Sequence, residues 1–263
     1  DMVERPVRHL LAQTAVFKQM ALEQMEATWR ASEGADCIVA AGGSFSAWCA
    51  AEARGIPYRM VLYCPQLVEN DGWVPPAFGF RLQPRWMNRL FWRLNSVIWK
   101  LTLGGAINQG RARLGLPPAV DAWSCMVPKD GRALIAADPQ LTPPEVASSA
   151  TGALYLDEPG ALPERLERFL TAFPSPLYVG FGSMPTRHAD EVSRIAVRAA
   201  ASVGRGVVLS RGWAGLGEDV DAEHVCVVED VPHATLFPRM AAVVHHGGAG
   251  TTHAALAAGV PQL

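Results

Sequence analysis

The sequence predicts an α/β chain built on parallel, doubly wound sheets, and three features carry that expectation. In the second half, four short apolar runs at residues 176–181, 206–209, 225–228 and 241–244 each end in a polar or glycine-rich turn and alternate with helical stretches. In the first half, apolar runs at 37–41 and 58–64 flank one helical pattern, the spacing of a βαβ unit. The last turn, His245-His246-Gly247-Gly248-Ala249-Gly250-Thr251-Thr252, leads from a strand into an alanine-rich helix that Gly259 and Pro261 stop.

Composition narrows the function. The chain has 263 residues, 49% hydrophobic and 18% charged, enough for two cores of ordinary domain size. A net charge of −2 gives no basic field for nucleic acid. No apolar run reaches the ~18 residues of a membrane span, and no signal peptide opens the chain. Five cysteines, Cys37, Cys49, Cys64, Cys125 and Cys226, lie in apolar runs without a C-x-x-C pair. They read as buried thiols of a reducing, cytoplasmic compartment, neither metal ligands nor a disulfide framework. Nothing in the sequence sets an oligomeric state.

In order along the chain, residues 7–32 place Phe17, Met20, Met25 and Trp29 at helical spacing. A strand at 37–41 closes at Gly42-Gly43, and Ser44 is positioned to cap the helix that runs to Gly55. Residues 65–84 form a proline- and glycine-rich loop carrying Trp73, Phe78 and Phe80. Residues 85–115 are helical again, with Trp86, Leu90, Leu94, Val97, Ile98 and Leu101 on one side and a possible break at Gly104-Gly105. The tryptophans here fit either core packing or a hydrophobic wall facing a ligand. Strands are expected at 133–136 and 151–156, then a linker at 157–160. The domains are accordingly placed at 1–156 and 161–263. Helices at 162–172, 189–203 and 233–237 complete the second half, whose acidic loop at 218–223 reads as solvated surface. The chain opens on Asp1 directly into a helix and closes where a further strand is due, so both ends read as cut.

A strand, a tight glycine turn and a helix N-terminus make an anion site, because the first helical N–H groups lack internal partners and sit at the positive end of the dipole. The turn does not fit G-x-G-x-x-G or G-x-x-x-x-G-K-[ST], and a purely structural turn is the competing reading. The pair of histidines at a strand's carboxyl end favours a ligand.

Four turns then appear in order: Gly180-Phe181-Gly182-Ser183-Met184-Pro185; Ser210-Arg211-Gly212-Trp213; Asp230-Val231-Pro232-His233 with Leu236-Phe237-Pro238; and the His245–Thr251 turn. Together they resemble the donor half of a GT-B nucleotide-sugar glycosyltransferase, closest to bacterial glycopeptide and natural-product transferases and to sterol glucosyltransferases. The resemblance covers 151–263 closely and 1–150 loosely, through Gly55-Ile56-Pro57, the aromatic loop and Arg113-Leu114-Gly115-Leu116-Pro117.

The resemblance implies two Rossmann-like domains, both incomplete, and inverting transfer of a sugar from a UDP- or TDP-sugar to an acceptor hydroxyl. It implies that Ser183, His246, Gly248, Ala249, Gly250 and Thr251 hold the donor diphosphate. Arg211, Trp213, Val231 and Pro232 would line the nucleoside, and Trp73, Phe78 and Trp86 an apolar acceptor pocket. The nucleotide sugar is a co-substrate; no metal or other cofactor is expected, since fixed N–H donors can take up the leaving-group charge. His245 reads as structural, and His253 fits either face of its helix. The family's catalytic base and its sugar-gripping turn fall outside this chain, so no catalytic residue is named. Alternatives are an epimerase or hydrolase of the same fold, or a non-catalytic nucleotide-sugar-binding fragment.

Overall fold

The computed structural model describes residues 6–78, 84–155 and 160–263. The chain divides into two compact units, Asp1–Gly152 and Ala153–Leu263. Phe80, Leu156 and the linker positions 157–159 lie outside the described residues.

The first unit runs α1 (Pro6–Ala31), β1 (Ile38–Ala41), α2 (Ala47–Arg54), β2 (Tyr58–Leu62), α3 (Arg85–Thr102), α4 (Gly104–Arg113), α5 (Ala122–Met126) and β3 (Ala133–Ile135). Its sheet has the order β1-β2-β3 and is wholly parallel, with Ile38 opposite Tyr58 and Met60 opposite Ala133. Met60, Leu62 and Ile135 from the strands form the core with Trp48, Trp92, Ile107 and Trp123 from the helices. The break between α3 and α4 falls at Leu103, one residue before the Gly104-Gly105 pair that opens α4.

Several expectations are corrected. Ser46, not Ser44, stands at the N-cap position of α2, and its hydroxyl donates 2.7 Å to the Ala21 carbonyl of α1 instead of capping. β2 stops at Leu62, two residues short of Cys64. Residues 151–155 form no strand: one bridge pairs Ile135 with Ala150, and the Thr151 N–H donates to the Ile135 carbonyl. The short α5 was not expected; Asp121 caps it by accepting from the Trp123 and Ser124 N–H groups at 3.1 and 3.3 Å.

For α3 the structure decides what the sequence left open. Asn88, Trp92 and Asn95 are the buried residues, while Trp86, Leu90, Leu94, Val97, Ile98 and Leu101 face solvent. Both sides of this helix carry apolar groups, so periodicity alone could not say which one turns inward. The buried side is fixed by polar bonds: Asn88 Nδ2 donates to the Asp71 carbonyl at 2.8 Å and Trp92 Nε1 to the Trp73 carbonyl at 3.0 Å.

The second unit runs α6 (Glu164–Ala172), β4 (Leu177–Gly180), α7 (Ala189–Ser202), β5 (Val207–Ser210), β6 (Val225–Val228), α8 (His233–Leu236), β7 (Ala242–His245) and α9 (Ala249–Ala257). Its four parallel strands lie in the order β6-β5-β4-β7. All four residues of β5 are buried, as an apolar run in an inner parallel strand should be. Residues 261–263 continue alongside β7, where Gln262 pairs in parallel with Val243.

Candidate functional site

The strand order sets the site. β5 and β6 extend from one side of β4, and β7 lies on the other, so the order of strand addition reverses between β4 and β7 while the strands stay parallel. Ligands of open α/β sheets bind outside the carboxyl ends of the strands at such a switch point. There β4 feeds the Phe181-Gly182-Ser183 turn, β5 the Arg211-Gly212-Trp213 turn, and β7 the histidine–glycine turn.

These turns are tied to one another. The Trp213 N–H donates 2.9 Å to the Gly182 carbonyl. Gly212, at φ +49°, has no room for a side chain, because a Cβ there would run into that same carbonyl oxygen. His246 also stands near Gly182: a methyl group built on Gly182 would lie 3.5 Å from His246 Cε1. Ser183, His246, Arg211 and Trp213 thus stand on neighbouring turns at one sheet edge. Arg211 is held at the end of β6, its guanidinium 3.2 Å from Glu229 and its N–H on the Val228 carbonyl. Trp213 is 77% exposed.

The two histidines divide their work. His245 Nδ1 accepts the Gly247 N–H at 3.1 Å, so its proton sits on Nε2, which faces Gln262 Oε1 at 2.8 Å. This imidazole is spent on shaping the turn, as expected for a structural residue, and Gly247 follows it with φ +82°. His246 is exposed and lies over Gly248, whose added methyl would come within 2.6 Å of its Nε2. Gly248 is the N-cap residue of α9, and the helix has no side-chain cap. The first backbone bond there runs from the Thr252 N–H to the Gly248 carbonyl at 2.9 Å. Among the described residues the N–H groups of Ala249, Gly250 and Thr251 therefore find no acceptor, and they lie beside an imidazole. That is the arrangement of an anion site.

A cleft of about 920 Å³ opens on the same unit. Val231, Pro232 and Gly250 line it, so two of the expected nucleoside residues and one diphosphate residue share a wall. Ser183, His246, Arg211 and Trp213 are not among its lining residues, which separates the expected set into a cleft group and a sheet-edge group. Gly250 needs correction in one respect: it lies within α9 without a positive φ, and a Cβ on it would meet nothing within 4 Å. Its bareness leaves room in the cleft and answers no backbone demand.

The cleft also uses groups that sequence reasoning left out. His233 lines it, stacked on Phe237 at 4.3 Å and 3.4 Å from the Tyr178 hydroxyl. Burial holds this imidazole below its ordinary pKa. Tyr155 also lines the cleft and sends its hydroxyl to the His253 carbonyl at 3.4 Å. His253 itself is buried in α9. His233 stands within the Asp230-Val231-Pro232-His233 run, so its signal was on the page; Tyr155 was hidden by reading its segment as a strand.

In the first unit, Trp73 is half-buried. It packs against both hydrophobic clusters there, and its Nε1 donates 3.2 Å to the Val68 carbonyl. Phe78 is half-buried against Phe91, with ring centres 4.9 Å apart. Trp86 is 60% exposed.

Comparison with known proteins shows what the chain is similar to. Residues 194–263 match the erythromycin biosynthesis protein CIII-like, C-terminal domain. Over 243 residues the chain is 37% identical to vancomycin aglycone glucosyltransferase of Amycolatopsis orientalis, covering 89% of this chain and 58% of that protein. The chain is thus similar over most of its length to a glycopeptide glycosyltransferase. Another relative, the dTDP-epi-vancosaminyltransferase of the same organism, is 33% identical over 254 residues, covering 94% of this chain and 60% of that protein. The chain thus spans about three fifths of the length of these relatives. Its fold is that of glycosyltransferase VinC, solved in complex with DTDP, at a TM-score of 0.59 and 21% identity, covering 94% of this chain and 60% of that one. No helix among the described residues is long and apolar enough to cross a membrane.

Proposed function

We propose that this chain is part of an inverting glycosyltransferase that moves a sugar from a TDP- or UDP-sugar to a hydroxyl of an apolar acceptor. The observation that carries this reading is the uncapped start of α9 at the β4/β7 switch point, with the His246 imidazole over it. In such a transfer, negative charge grows on the departing nucleoside diphosphate. Fixed N–H donors and an imidazole stabilise that charge without reorganising, which calls for no metal or other cofactor. Ser183 adds a hydroxyl from the adjoining turn, and Thr251 another from the helix. Val231 and Pro232, in the cleft beside Gly250, suit the base and ribose. The naming of dTDP in one relative and DTDP in the VinC complex favours a thymidine donor.

Trp73, Phe78 and the exposed Trp86 are the aromatic groups assigned on this reading to an apolar acceptor, Trp73 offering less surface than Trp86 because it packs against the core. No residue of this chain is assigned as the base that deprotonates the acceptor. The five cysteines are free thiols, but only Cys49 and Cys226 are buried as expected; Cys64 and Cys125 are half-buried and Cys37 is exposed.

Titration calorimetry with TDP, UDP, thymidine and NAD tests the donor reading. TDP or UDP should bind and thymidine should bind more weakly, because it lacks the diphosphate. Heat from NAD alone would overturn the assignment. Incubation with a TDP-sugar then separates chemistries: sugar appearing on water without an acceptor would favour the hydrolase.

A further inference from the structure

We propose that α3 docks the protein onto an anionic lipid surface. Six large apolar side chains, Trp86, Leu90, Leu94, Val97, Ile98 and Leu101, form one stripe of this helix and are between 40 and 77% exposed. Fifteen residues separate the first from the last, so the stripe runs about 22 Å along the axis. It lies on a helix that is otherwise well anchored, since Asn88, Trp92 and Asn95 are buried on the opposite side. An apolar face of this size on a soluble surface marks an interaction site.

Charge identifies the partner. Residues 85–102 contain Arg85, Arg89, Arg93 and Lys100 and no acidic residue. At 100° per residue, Arg89, Arg93 and Lys100 fall along one border of the stripe. Asp71 pairs with Arg89 at 2.9 Å and stands 3.9 Å from Arg85. Arg93 and Lys100 make no ion pair among the described residues. A helix with aromatic and aliphatic groups on one face and cations at its border lies in the plane of a lipid interface, where long basic side chains reach the headgroups. A protein partner would need a matching apolar groove lined with acids; an anionic bilayer supplies both components without a specific shape. Docking of this kind requires no membrane-spanning helix. It shares Trp86 with the acceptor reading above, while Leu90, Leu94, Val97, Ile98 and Leu101 lie outside that reading.

The test is flotation of the full chain with vesicles of phosphatidylcholine alone and of phosphatidylcholine with 30% phosphatidylglycerol. The chain should float with the anionic vesicles and far less with the neutral ones. The double variant Leu94→Asp, Leu101→Asp should lose at least tenfold in bound fraction. Arg93→Glu with Lys100→Glu should lose about tenfold, and 0.5 M salt should act in the same direction on the unmodified chain. All four positions are exposed, so far-ultraviolet circular dichroism and the melting temperature should stay unchanged. Equal flotation with both vesicle types, no flotation, or flotation untouched by the variants would overturn the proposal. So would a dimer in sedimentation velocity that the Leu94 and Leu101 variant dissolves, since a second copy would then cover the stripe.

Discussion

At the residue scale, His246, Gly248 and Gly250 are three neighbouring positions with three different duties. His246 presents an imidazole over the start of α9, Gly248 clears the space for that ring, and Gly250 leaves the cleft open. His246→Ala should cost about tenfold in TDP affinity, the lower end for a hydrogen bond to a charged group, and leave thymidine within twofold. Equal losses for both ligands in calorimetry would remove His246 from the diphosphate. Gly250→Val should leave the melting temperature unchanged or slightly higher, because glycine is a poor helix residue and the new Cβ meets nothing. TDP binding should nonetheless fall sharply in the same calorimetric measurement, since the side chain projects where the cleft opens. The histidine–glycine turn was legible from sequence because its chemistry is local: strand, turn and helix follow each other within twelve residues. The parting of Val231 and Pro232 from Arg211 and Trp213 was not, since it depends on which side of the sheet edge each turn leans toward.

At the element scale, the strands of the second unit fell where polar or glycine turns bounded apolar runs, because a buried parallel strand is continuous hydrophobic sequence with sharp ends. α5 escaped notice because five residues carry no helical period, although Asp121 ahead of Ala122-Trp123-Ser124 was a cap signal. Asp121 also accepts from the Ser124 and Ser96 hydroxyls, at 2.8 and 3.3 Å, and so ties α5 to α3. Asp121→Ala should therefore destabilise the first unit by about 1–2 kcal/mol in urea unfolding. A second tie joins α2 to α4. Arg111 is 3% exposed, forks onto Glu52 at 2.8 and 3.0 Å, lies 4.7 Å over the Trp48 ring, and donates to the Pro117 carbonyl. Its hydrogen bonds to Glu52 hold that carboxyl below its ordinary value of 4.5. A carboxylate with a lowered folded pKa stabilises fully above the unfolded value, and the contribution disappears as pH falls from there through the folded value. Urea midpoints should thus decline below about pH 4.5 in the unmodified chain. Glu52→Gln should lower the midpoint at pH 7 and flatten that decline, and an unchanged slope would show that Glu52 does not carry it.

At the scale of the whole molecule, the two units have separate hydrophobic clusters: Trp92, Met60 and Ile135 lie in those of the first, Phe237, Leu209 and Val243 in those of the second. Every residue placed at the candidate donor site, from Ser183 to Thr251, belongs to the second unit. The ligand free energy should accordingly enter one unit. TDP at about 100 times its dissociation constant adds about 2.7 kcal/mol to whatever folded body binds it. Hydrogen exchange reads where that energy goes. On adding TDP, amides at 182–184, 211–213, 230–236 and 248–257 should slow, because the turns at the carboxyl ends of β4, β5, β6 and β7 would be ordered together. Amides of β1, β2 and β3 should exchange at their ligand-free rates, and so should those of α3, whose exposed stripe is assigned to a different partner. Slowing confined to the first unit would refute the site. Slowing spread over both would mean that nucleotide binding couples the two units, and that the energy of the His246 turn reaches beyond the fold unit that contains it.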